Sequence, residues 1–230
     1  MKFENDLIPG KLIKRYKRFL ADIELENGDT VTAHCTNSGP MKSCIEEGAP
    51  VMLSPVNDPK RKTKFTWEMI KINKKWVGIN TANPNKLAIE NIKLGKIKEL
   101  KGYTQVQPEY KYRDSRFDVY LENLYEKCFV EVKNVTYKED KYALFPDAVT
   151  TRGKKHLSDL IKARKEGYRA VMLYIIQRSD VDIFAPAKEI DPEYTKELKK
   201  AHKAGVEILP YQVKVSPTEI KLGKKLEFKL

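Results

Sequence analysis

Two short runs in the middle of the chain constrain it most: Arg116-Phe117-Asp118-Val119-Tyr120-Leu121 and Phe129-Val130-Glu131-Val132-Lys133. Read as β-strands, their successive side chains point to opposite faces. Arg116, Asp118 and Tyr120 then share one face of the first strand, and Glu131 and Lys133 share one face of the second. Phe117, Val119 and Leu121, with Val130 and Val132, take the other faces, so each ribbon has an apolar side that must pack on a core. Neighbouring strands built this way bring two carboxylates and an ammonium to one pocket.

The chain around these runs reads as helices alternating with strands. Asn83-Pro84 predicts a helix start, with Asn83 as N-cap and Pro84 in the first turn, running to about Leu94 and ended by Gly95. Leu87, Glu90, Asn91 and Leu94 fall on one stripe of that helix, which sets Glu90 beside its buried face. Residues 104–112, 115–121 and 128–135 then form a three-strand meander. Thr150 or Thr151 caps a helix reaching about Glu166, and residues 169–176 are a nearly continuous apolar strand of the kind buried on both faces. Asp191-Pro192 opens a helix to about Ala204, and residues 206–211 are the final core strand. The earlier part differs: residues 12–25 (one long strand), 30–34, 50–54, 64–72 and 76–80 are about five strands separated by turns, the count of a small Greek-key barrel. The expected fold is α+β in two domains, an OB-fold-like barrel over residues 1–82 and a mixed α/β domain over residues 83–230.

Lysine and arginine number 44 against 32 acids, a formal charge of +12 that favours a polyanionic partner, most often nucleic acid. Lys14, Arg15, Lys17 and Arg18 interleave with Tyr16 and Phe19, and Arg61, Lys62 and Lys64 precede Phe65 and Trp67. Cations can track a phosphate backbone while rings stack on bases, although any single ring serves a barrel core equally well. Arg152, Lys154 and Lys155 stand where a helix begins and free N–H groups favour anions, and Arg116 joins them from the first strand of the pair. His156 borders the apolar stripe of that helix as a packed residue or a proton-transfer group. Three cysteines without CxxC spacing exclude a disulfide scaffold and a zinc ribbon. No apolar run is long enough to cross a bilayer and no signal-peptide pattern is seen near Met1, so the expectation is a soluble cytoplasmic protein with no membrane partner.

The order of elements and the spacing of Asp118, Glu131 and Lys133 resemble the PD-(D/E)XK nuclease fold. The resemblance implies Asp118 and Glu131 as ligands of Mg²⁺ or Mn²⁺, Glu90 as an extra acid, and Lys133 as the third catalytic residue. Two carboxylates can hold such an ion, which activates a water and offsets charge on a phosphate, while a lysine orients that water. Phe117 stands where the motif name has proline; the literal Pro146-Asp147 follows the Glu-x-Lys run and precedes a helix, so it is not the upstream acid.

Longer runs resemble the sugar fermentation stimulation protein family, SfsA. They include residues 15–22, Thr32-Ala33-His34-Cys35, Thr66-Trp67-Glu68, residues 76–81 and Pro84-Asn85. In the second half they are Ser115-Arg116-Phe117-Asp118, residues 130–136, residues 145–150, Arg152-Gly153 and residues 204–207. Thr36 stands at a usual proline, and Asn37-Ser38-Gly39-Pro40-Met41 varies that family's Asn-Thr-Gly-Ser-Met loop. The resemblance implies an OB-like domain joined to a nuclease-like one, with DNA binding of little sequence preference. Two functions follow as expectations: a Mg²⁺-dependent nuclease acting on DNA or RNA, or a non-catalytic DNA-binding regulator linked to sugar (maltose) metabolism.

Overall fold

Short alternating strands close the first layer of the structure, a computed structural model that describes residues 1–230. The strands are β1 (Ile8–Tyr16), β2 (Leu20–Leu25), β3 (Thr30–His34), β4 (Pro50–Pro55), β5 (Phe65–Ile72) and β6 (Lys75–Gly78). Their order is β3-β2-β1-β4-β5-β6, and a parallel pairing of β3 with β5 closes the sheet into a barrel. Trp67, Leu12, Ile23 and Leu53 fill it at 0–1% exposure.

The single strand expected over residues 12–25 is instead a hairpin, which makes six strands rather than five. Lys17 and Arg18 turn the chain with φ of 49° and 64°. Two consecutive positive φ values suit a tight hairpin, but the usual glycine or asparagine is absent, so the sequence carries no turn signal.

The remaining elements are α1 (Asn83–Lys93), β7 (Gln105–Tyr112), β8 (Ser115–Glu122), β9 (Lys127–Val135), β10 (Tyr137–Glu139), β11 (Tyr142–Phe145), α2 (Thr151–Lys165), β12 (Arg169–Ile176), β13 (Ile183–Pro186), α3 (Pro192–Lys203), β14 (Glu207–Val215), β15 (Ile220–Lys225) and β16 (Glu227–Phe228). The main sheet runs β15-β14-β12-β9-β8-β7, with β12 parallel to both β9 and β14. A smaller sheet, β10-β11-β13-β16, lies beside it. Helix, three antiparallel strands, helix, strand, helix, strand is the anticipated order. It is supplemented by the short β10, β11, β13 and β16 and by the β15 hairpin partner, so β14 is not the last strand.

β12 shows why the sheet is sandwiched. Ala170, Met172, Tyr174 and Ile176 pack with residues of α2 and α3, while Val171, Leu173 and Ile175 pack with Leu87, Ala88 and Ile92 of α1. The helix starts are fixed by side chains: Thr150 accepts the Gly153 N–H at 3.0 Å, and Asp191 accepts those of Tyr194 and Thr150 at 2.8 Å each. α2 and α3 thus begin side by side. Asn83, expected as a cap, is not one; Ala82 occupies the N-cap position without a side-chain bond, and Asn83 donates to Glu68 at 3.2 Å.

The two layers are joined by buried polar contacts. Glu68 of β5 also accepts from Ser54 at 2.7 Å and Asn80 at 3.0 Å. Arg178, 1% exposed, donates to the Thr136 carbonyl at 2.8 Å and to Ser43 Oγ at 3.0 Å. At the far edge the Met1 amino group meets the Ile220 carbonyl and the Glu90 carboxylate, each at 3.0 Å, and Lys2 bridges to Glu219. No helix is long and apolar enough to cross a membrane.

Candidate active site

Alternation holds on β9 and breaks on β8. Val130 and Val132 face the α1 side, while Phe129 and Val135 face α2, the side on which Glu131 and Lys133 reach His156. On β8, Val119 and Leu121 face α1, but Phe117 packs with Tyr120 on the opposite side. A regular strand cannot place residues three apart on one face, so the expected grouping of Arg116, Asp118 and Tyr120 is corrected. The cause is local: β8 pairs with β9 only from Val119↔Val130 onward. Asp118 sits where the strands part, and its carboxylate accepts the Val132 N–H at 2.8 Å. Its other oxygen accepts from Asn85 Nδ2 of α1, also at 2.8 Å.

Glu131 is 2% exposed. One oxygen, Oε1, accepts from Lys133 Nζ at 2.7 Å and contacts His156 Nδ1; the other, Oε2, is buried with no partner. Arg152 Nε approaches His156 Nε2 at 3.4 Å. If that nitrogen accepts, the ring proton lies on Nδ1 and points at Glu131. Lys133 Nζ stands 3.1 Å from the same nitrogen, and the two donors share Glu131 Oε1 as their acceptor.

The carboxyls respond differently to this setting. Burial, then the neighbouring Glu131 charge, pushes the Asp118 carboxyl up. Burial acts on Glu131 in the same sense but is outweighed by His156 and Lys133, which hold it below the usual range. Glu131 is therefore the firmly ionised member of the pair.

The expected additional acid does not join them. Glu90, 42% exposed, is paired with the Met1 amino group at 3.0 Å. Asn85, His156 and the orphaned Glu131 oxygen complete the site instead. Nothing in residue spacing marked Asn85, because a helix-start asparagine reads first as a capping residue.

The basic residues divide by what they touch. Arg15 donates to the carbonyls of Arg18, Asn37 and Gly39 at 2.6–2.9 Å, and Arg61 donates to Thr63 and Thr66 at 3.2 Å, so both brace loops. Arg116 pairs with Glu109 at 2.7 Å, Lys155 with Asp159 at 2.8 Å, and Lys14 with Asp22 at 3.8 Å. Arg18, Lys62 and Lys64 are exposed, and Lys154 is half-buried at the start of α2. Cys35 donates its N–H to the Phe19 carbonyl at 2.8 Å and His34 pairs with Thr66, which brings the Lys14–Phe19 and Arg61–Trp67 runs to one rim of the barrel. Of the rings in those runs, Trp67 is core and Phe19 is 50% exposed.

Residues 82–219 match the "Sugar fermentation stimulation protein RE domain", and residues 13–79 match the "SfsA N-terminal OB domain". The chain belongs to the sugar fermentation stimulation protein family. Within it, the homolog of Geotalea uraniireducens (strain Rf4) is 49% identical over 231 residues, covering 100% of each chain. That of Pelagibacter ubique (strain HTCC1062) is 48% identical over 229 residues, covering 99% of this chain and 98% of its own. SfsA of Pyrococcus furiosus, solved in complex with Ca²⁺, superposes with a TM-score of 0.91 at 27% identity over 100% of this chain and 98% of that one. The SfsA architecture of an OB barrel followed by a mixed α/β domain is therefore the fold seen here.

Proposed function

We propose that this chain is a divalent-metal-dependent phosphodiesterase acting on nucleic acid. The observation that carries the reading is the Glu131 oxygen buried without a partner beside a second carboxylate, Asp118, whose proton affinity is raised by burial and then by that neighbour. Unpaired buried acceptors and adjacent like charges are both costly, and a cation relieves both. No three His, Cys, Asp or Glu side chains are grouped so as to ligate one metal ion by themselves. Asp118 and Glu131 are thus the side chains that would hold the ion, with the rest of its shell from main-chain oxygens, water and substrate, the oxygen donors that Mg²⁺, Mn²⁺ and Ca²⁺ accept. The Ca²⁺ complex of the P. furiosus relative supports a hard divalent cation.

When bound, such an ion lowers the pKa of a water and offsets phosphate charge. The chain's own groups supply the rest. Lys133, held by Glu131, directs an ammonium donor at a phosphate oxygen or the attacking water. Asn85 and the Val132 N–H hold Asp118 in place, and the start of α2 offers N–H groups and Arg152 to an anion. The barrel rim with Arg18, Lys62 and Lys64 supplies the sequence-independent grip.

Titration of Mg²⁺ and Mn²⁺ into wild type and Asp118→Asn, beside cleavage of labelled single- and double-stranded DNA and RNA, tests this. The expected result is metal binding and cleavage that both weaken in the variant. Salt-dependent DNA binding with neither metal uptake nor cleavage would instead establish the non-catalytic regulator.

A further inference from the structure

We propose that the cleft between the barrel and the second domain is a pocket for one unpaired nucleobase of the bound strand. The inference rests on the nucleic-acid reading above. The cleft has a volume of about 330 Å³ and takes Thr36, Asn37 and Ser38 from the barrel side, with Asn134, Asp147 and Thr150 from the other. No lysine, arginine or histidine lines it, so it is not built for phosphate. Hydroxyls and amides both donate and accept, which suits the mixed edge of a base, and the Asp147 carboxylate suits an exocyclic amine. Phe145 and Val149, the latter 68% exposed, add apolar surface for a ring face. The volume lies at the small end of ligand pockets and fits one base rather than a pair.

Its position ties it to the reacting groups. Asn134 directly follows Lys133 on β9, and Thr150 caps the helix that carries His156. Thr150 and His156 are six positions apart along the helix, about 9 Å of rise. The wall is preorganised as well: Arg15 holds the Asn37 and Gly39 carbonyls at 2.8 and 2.9 Å, and Asn37 Oδ1 accepts the Gly39 N–H at 3.0 Å. A Cβ at Gly39 would collide with Asp147 Oδ2, so glycine lets the barrel loop abut that carboxylate as it stands. Pro146-Asp147, set aside as a catalytic motif, and the Asn37-Ser38-Gly39 loop thus meet in one structure.

The test uses single-stranded oligonucleotides, under chelator so that none is cut, each with one abasic site at a successive position. In wild type one position should stand out, its missing base weakening binding about tenfold, the effect of losing a stacked base. 2-Aminopurine at that position should change in fluorescence on binding. Ser38→Trp, at an exposed rim site, and the isosteric Asp147→Asn should each abolish the difference between intact and abasic strands while salt dependence persists. Salt-dependent binding with no distinguished position, or with one that both variants retain, overturns the pocket and leaves the proposed function standing. Absence of salt-dependent binding to every strand overturns that function and the pocket with it.

Discussion

Asp118 accepts the main-chain N–H of Val132 at 2.8 Å, a donor left free because β8 has parted from β9 at that point. The bond separates charge from scaffold in a measurable way. Asp118→Asn keeps an oxygen for Val132, and a reoriented amide can meet Asn85, so stability should change by less than about 1 kcal/mol while Mg²⁺ affinity falls at least about tenfold. Asp118→Ala strands two donors and should cost about 1–3 kcal/mol as well. Urea unfolding and calorimetric metal titration separate the two effects; an Asn variant with wild-type metal affinity would remove Asp118 from the ligand set.

His156 acts through Glu131, whose Oε1 it contacts and which also holds the Lys133 ammonium at 2.7 Å. His156→Ala should lower the cleavage rate about 100-fold, as expected when a reacting group drifts by about 1 Å. His156→Gln, which restores a polar tip, should recover part of the loss. Metal affinity should change far less than rate in both variants, and parallel losses would place His156 in metal binding instead.

Arg15 and Arg18 should separate although they lie three residues apart. Arg15 spends its donors on three carbonyls, whereas Arg18 is exposed. Arg18→Glu should weaken DNA binding and flatten its salt dependence with no change in melting temperature. Arg15→Glu should lower the melting temperature too, because it leaves the Asn37 and Gly39 carbonyls without their donor. Equal melting temperatures for the two variants would contradict the bracing role.

Asp180 provides a pH dependence. Its side chain is 12% exposed and pairs with Arg178 at 2.7 Å and Lys138 at 2.8 Å. Burial raises its carboxyl pKa, but hydrogen bonds from Arg178 and then Lys138 prevail and hold it at about 2 against an ordinary 3.8. A carboxyl depressed in the folded state takes up its proton more readily when unfolded, so this stability is complete above about pH 4 and lost as pH falls through about 2. The difference amounts to about 2 kcal/mol. Unfolding measured across that window should steepen for wild type relative to Asp180→Asn, and identical slopes would refute the assignment.

What was legible in the sequence followed from periodicity and capping. β12 matches its apolar run, Thr150 and Asp191 cap the helices they precede, and Glu131 shares a face with Lys133 as alternation requires. What was hidden depended on partners far along the chain. The change of face at β8 comes from strands that separate, which no pattern within β8 reveals. Glu90 satisfied the helical spacing, yet its partner is an amino group 89 positions earlier. Arg15 looked like a free cation because the carbonyls that hold it lie on a loop 22–24 residues downstream.

The contact between Met1 and Ile220 sets an order of assembly. Those residues are 219 positions apart, whereas every barrel strand finds its partners within residues 8–78. During synthesis the barrel has all its strands once Gly78 has emerged, with the residues before β1 still waiting for an edge that does not yet exist. Residues 1 and 2 are among the last to find their place, and a refolding experiment should see Met1 become protected only after Trp67 is already buried.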